Sequence, residues 1–139
     1  MINEALTKFQ STIDSEQATE VLGELVFARP DITGAVLATI DGRVVASDIP
    51  DRFDDRQAAA ILASTFGLGQ RLTDFVGDAA MSEIVARSAD GLVCVQAVGQ
   101  RGALLVLAKP EVNLGLLQLN ARRAADVLAP LLDHPSPIE

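Results

Sequence analysis

The sequence predicts an α+β domain: a five-stranded antiparallel sheet with helices on both faces, in the order α-β-β-α-β-β-β-α. Three observations carry this. Gly34–Ser47 reads GAVLATIDGRVVAS, two apolar runs around Asp41-Gly42. Asp-Gly in that setting predicts a hairpin through a type I′ turn, whose central residues both need φ > 0. Leu92–Val98 and Ala103–Ala108 are almost continuous apolar runs joined by GQRG. A link that short requires antiparallel neighbours, and such runs suit strands buried on both faces. Stretches of helical period before, between and after the strands supply the covering layers.

Each element follows in turn. Residues 2–28 carry Ile2, Leu6, Phe9 and Ile13, then Ala18, Val21, Leu22, Leu25 and Val26, at helical spacing. Asp14, with Gln17 completing a capping box, marks either a weak point in one long helix or the junction of two. Arg29-Pro30 ends it, because the residue before proline is pushed out of the α region. The hairpin strands are expected at 35–40 and 43–48. DIPDRFDD, residues 48–55, is a turn-rich loop whose Asp54 or Asp55 caps the next helix, 55–76. Gly77–Ala79 breaks that helix, and strands follow at 81–88, 92–98 and 103–108. Asn113 is placed to cap a last helix, Leu114–Leu132, with Leu116, Leu117, Ala121, Ala124, Leu128 and Leu131 or Leu132 inward and Arg122, Arg123 and Asp126 in water. Residues 1–15 read as a helical extension, 16–132 as the domain and 133–139 as a frayed polar tail.

Composition narrows the function. Eleven basic against nineteen acidic residues give a net charge of −8, which disfavours nucleic acid and anionic membranes. No apolar run approaches the roughly 18 residues of a membrane span, and no signal-peptide pattern opens the chain, so a cytoplasmic protein is expected. The single cysteine, Cys94, lies in an apolar strand and reads as a small core residue. His134 sits far from it in the tail, so the two make neither a metal site nor a nucleophile–base pair. Gly67-Leu68-Gly69 lies inside a helix and lacks the strand and the Gly-Lys-Ser/Thr of a phosphate loop. Asp48, Asp51, Asp54 and Asp55 lack the spacing of a calcium loop and read as caps and turns. Arg29, Arg52, Arg56, Arg71 and Arg101 are expected to be exposed, and none stands out as a finger for phosphoryl transfer. No catalytic, cofactor-binding or metal-binding residue emerges, and the chain is not expected to be an enzyme.

The helix 55–76 is the unusual element. Ala58, Ile61, Leu62, Thr65, Leu68, Leu72, Phe75 and Val76 form one apolar side, expected to face the sheet. The other side carries Ala59, Ala60, Ala63, Phe66, Gly67 and Gln70 where charge is normal. Small residues there mean that another backbone comes close: a docking surface, or burial within the domain. With Met81, Glu83 and Val85 on the strand edge 81–88, these residues are the candidate dimer and partner interface.

Pro30–Leu37 (PDITGAVL) and Asp41–Ser47 (DGRVVAS) resemble the first hairpin of the roadblock family, the dynein light-chain and MglB-like superfamily. Asp90–Val93, Ala103–Leu107 and Asn113–Leu117 resemble its closing strands and last helix, so that the likeness spans residues 17–132. The resemblance implies the same sheet with one helix on one face and two on the other. It implies homodimers in which second helices pack together and third strands join two sheets. It also implies work beside small Ras-like GTPases: either stimulation of GTP hydrolysis by remodelling the GTPase's own site, as in MglB-type members, or service as a non-catalytic scaffold.

Overall fold

The computed structural model describes the backbone of residues 2–133 and the side chains of residues 15–132. Its elements are α1 (Ile2–Ala28), β1 (Ile32–Thr39), β2 (Val44–Asp48), α2 (Asp55–Thr73), β3 (Glu83–Ser88), β4 (Gly91–Val98), β5 (Gly102–Ala108) and α3 (Leu114–Asp133). The five strands form one antiparallel sheet in the order β2-β1-β5-β4-β3. The expected element order and fold class hold. The stripe Ile2–Leu6–Phe9–Ile13 and the tail with His134 lie outside the described side chains.

Strand alternation sorts the core into two layers. Ala35, Leu37, Leu92, Cys94, Leu104 and Val106 point to one face, where Leu22 and Leu25 of α1 and Leu117, Ala121 and Leu128 of α3 cover them. Ala38, Val95 and Ala103 point to the other, against Ala59 and Leu62 of α2. Two helices thus cover one face, while a single helix lies over the other. Asn113 caps α3 as expected, its Oδ1 accepting from the Leu116 N–H at 3.1 Å. Arg122, Arg123 and Asp126 are exposed, also as expected, but so in part is Leu116.

Of the two readings of residues 2–28, α1 is the single long helix, unbroken through Asp14. Three local expectations change. α2 ends at Thr73 rather than 76, because the Asp74, Phe75, Val76 and Gly77 N–H groups close the helix onto Gln70, Leu72 and Thr73 carbonyls. Met81 lies before β3, which begins at Glu83. The hairpin turn is not type I′: among the described residues only glycines have positive φ, and Gly42 alone, at +94°, does so in this turn. The Gly42 N–H donates to the Thr39 carbonyl and the Thr39 N–H to the Arg43 carbonyl, each at 2.9 Å. That is a type I turn followed by a left-handed glycine, the three-residue alternative for an Asp-Gly hairpin.

Two glycines should respond oppositely to alanine. A Cβ on Gly91 would sit 2.5 Å from the Ala108 carbonyl oxygen, at φ +159°. Gly91→Ala should therefore cost about 1–3 kcal/mol. Gly67 lies in exposed helix with nothing within 4 Å of an added Cβ, so Gly67→Ala should stabilise by about 0.5–1 kcal/mol. Urea unfolding of the two variants beside the parent checks both signs.

Candidate docking surface

The second helix is pinned at both ends by its own sequence. Asp54 accepts from the Arg56 N–H at 2.9 Å and starts α2. Ser47 Oγ donates to Asp55 Oδ2 at 3.0 Å, tying that start to β2. At the far end the Gln70 amide holds the link to β3. Its Nε2 donates to Asp74 Oδ1 (2.9 Å) and to the Ala79 carbonyl (3.3 Å), and its Oε1 accepts from the Met81 N–H (2.8 Å). Helix end, link and strand start form one hydrogen-bonded unit.

The small side of α2, read from the sequence as a docking face or a face buried within the domain, lies on the sheet in part. Ala59 is fully buried and Phe66 half-buried against the sheet. Gly69 is buried because Ile84 of β3 occupies the place its Cβ would take. The close-approaching backbones belong to the same chain: a Cβ added at Gly42, on the hairpin tip, would lie 3.6 Å from Ala63 Cβ and 3.7 Å from Ala60 Cα. Ala63 is half-buried, and Ala60 and Gly67 are exposed. Met81 is buried, and Glu83 and Val85 are half-buried on β3.

The side expected to pack on the sheet is mostly free. Of that stripe only Leu62 is buried. Ile61 is 58% exposed, Leu68 59%, Leu72 67%, Phe75 89% and Val76 90%, an apolar row running from the middle of α2 past its end. Isolated exposed apolar residues are ordinary, but a contiguous row marks an interaction surface. Beside it, Ile61 and Thr65 border an apolar groove of about 380 Å³ floored by Val93, Val95, Leu105 and Leu107. The groove is the part of the sheet that one helix is too narrow to cover.

The sheet also has unequal edges. At β2 the pairing slips by one residue, leaving Val45 unpaired, and Ser15 Oγ of α1 donates to the Val45 carbonyl at 2.7 Å. A bulge and a covering side chain are standard protections for an edge. β3 pairs regularly with β4 along its whole length and is the other edge of the sheet. The free row, the bare groove and the regular edge adjoin one another.

Among the described residues, no three His, Cys, Asp or Glu gather as metal ligands. Arg29, expected to be exposed, is half-buried and paired with Asp31 at 3.3 Å, while Arg52, Arg56, Arg71 and Arg101 are exposed. Asp41 is held below the usual carboxylate range, first by the Thr39 hydroxyl, against slight desolvation, and then by Arg43. Burial, with help from nearby Glu83, pushes the Cys94 thiol up to about 11.

Compared with known families, residues 18–108 match the Roadblock/LC7 domain. The chain belongs to the Roadblock/LC7 family. Three uncharacterized proteins of Methanocaldococcus jannaschii are each 30% identical to it over 95 residues, covering 68% of this chain and 80% or 82% of theirs. A Roadblock/LC7 domain from Streptomyces avermitilis superposes with a TM-score of 0.76 at 25% identity, covering 82% of this chain and 96% of that one. An MglB with tetrameric arrangement gives 0.76 at 25%, covering 85% and 89%. The gliding protein MglB from Thermus thermophilus gives 0.79 at 24%, covering 88% and 93%, a likeness of fold.

Cys94 gives a pH test of the α1–α3 layer. Its folded pKa is raised, so the neutral thiol's stabilisation is complete below about pH 9 and is lost as pH rises towards 11. Unfolding midpoints should fall across that window, and this component should vanish in Cys94→Ala. That variant should itself cost about 1 kcal/mol at neutral pH. Urea titrations at pH 7, 9 and 11 check both.

Proposed function

We propose that this Roadblock/LC7 chain is a homodimeric, MglB-like regulator of a small Ras-like GTPase, stimulating GTP hydrolysis by reshaping the GTPase's own site. One observation carries the reading: the exposed row Ile61–Leu68–Leu72 beside a bare groove and an open strand edge. Such a surface fits a second copy of the fold, since the same α2 row, turned by a two-fold axis, supplies an apolar helix to lie over the uncovered sheet. The dimer's paired α2 helices then offer a continuous platform to the GTPase. The structural likeness to MglB supports the choice of partner. A regulator that acts by docking needs no nucleophile, metal or arginine finger, so the chain is not itself an enzyme. The protein works in the cytoplasm, where GTPases are.

Single-turnover GTP hydrolysis by a cognate GTPase should accelerate when this protein is added. Light scattering should give twice the 14.6 kDa chain mass at micromolar concentration. Leu72→Asp should abolish both effects while leaving the fold intact, because surface substitutions usually change stability by no more than about 0.5 kcal/mol. Binding of the GTPase without acceleration would make the protein a scaffold, and a monomer with wild-type acceleration would overturn the dimer.

A further inference from the structure

We propose that β3 carries a two-charge code that fixes how a second copy of the chain pairs along it: antiparallel, centred on Val85, with Glu83 of each strand opposite the partner's Arg87. This rests on the homodimer reading and adds its register.

Directly opposed residues of an antiparallel pair share a face of the sheet. Within the chain Glu83 opposes Gln96, Val85 opposes Cys94 and Arg87 opposes Leu92. Cys94 and Leu92 belong to the layer under α1 and α3, so Glu83, Val85 and Arg87 share that face. Ile84 and Ala86 lie on the α2 face, at the groove.

A two-fold axis perpendicular to the sheet must set one residue of β3 opposite itself. Centred on Ile84, it puts Glu83 against the partner's Val85 and leaves Arg87 beyond the paired segment. Centred on Ala86, it puts Arg87 against Val85 and leaves Glu83 outside. Centred on Arg87, it sets like charges together. Centred on Val85, it pairs Glu83 with Arg87 twice, Val85 with itself, and Ile84 with Ala86 twice across the groove. Only this register uses both charges favourably and engages most of the strand.

Neither charge is consumed inside the chain. The two ion pairs among the described residues are Arg29–Asp31 and Arg43–Asp41. Arg87 is exposed. Glu83 accepts from Gln118 Nε2 of α3 at 2.7 Å, a neutral donor that positions the carboxylate without cancelling its charge. Charges on an edge strand ordinarily deter pairing. Opposite signs four residues apart deter it selectively. Parallel in-register pairing sets Glu83 on Glu83 and Arg87 on Arg87, so it is penalised, as is an edge lacking the matching charges.

The test uses Glu83→Arg and Arg87→Glu, each checked for a wild-type thermal melt. Each variant alone places like charges together twice across the axis, and its dimerisation constant should weaken about tenfold or more. Mixed together, the two variants should form a heterodimer in native mass spectrometry, with near wild-type affinity and in excess of either homodimer. The doubly exchanged Glu83→Arg/Arg87→Glu protein should dimerise as the wild type does. Single variants that dimerise as tightly as wild type overturn the register and leave the homodimer standing. So does a mixture that shows no preference for the heterodimer. A monomeric wild type at micromolar concentration overturns both readings.

Discussion

A β-sheet has two faces and two edges, and every one must be covered, paired or guarded. This chain closes three of the four only in part. α1 and α3 cover one face, and the Val45 bulge with Ser15 guards the β2 edge. On the remaining face α2 lies over β1 and β5 and leaves the sheet towards β3 bare. Apolar groove, exposed helix row and open edge are therefore one deficit seen three times.

Hydrogen bonding makes that deficit a stable feature rather than a loose end. Asp54 and Asp55 hold the start of α2, and Gln70 clamps its end to the link that leads into β3. Gly69 then lets Ile84 press against the helix. With both ends tied and one close contact fixing its roll, α2 presents Ile61, Leu68 and Leu72 outward as a preformed row. A preformed surface loses less conformational entropy on binding than one that must be ordered.

The strands and their pairing were legible because they rest on short-range chemistry: Asp41-Gly42, Ala89-Asp90-Gly91 and Gly99–Gly102 are turn signals between apolar runs. The direction of α2 was not. Both its sides are apolar, and helical period gives the spacing of a stripe without saying which of two stripes meets the sheet. The larger residues suggested the core, yet the sheet took Ala59, Leu62, Phe66 and Gly69. Glycine does not mark the inward side either: Gly69 lies against Ile84, while Gly67, two residues earlier and on the opposite side of the helix, meets nothing. The hairpin's turn type was missed for a related reason, since Asp-Gly also suits a type I turn closed by a left-handed glycine.

In the proposed homodimer β3, and not β2, is the edge that a second copy covers. Amide hydrogen exchange followed by mass spectrometry against protein concentration measures this directly. Raising the concentration through the dimerisation range should slow exchange in 83–88 and in 61–72, with β2 unchanged. Exchange in β3 that stays the same at every concentration, or protection that appears at β2 instead, would contradict it.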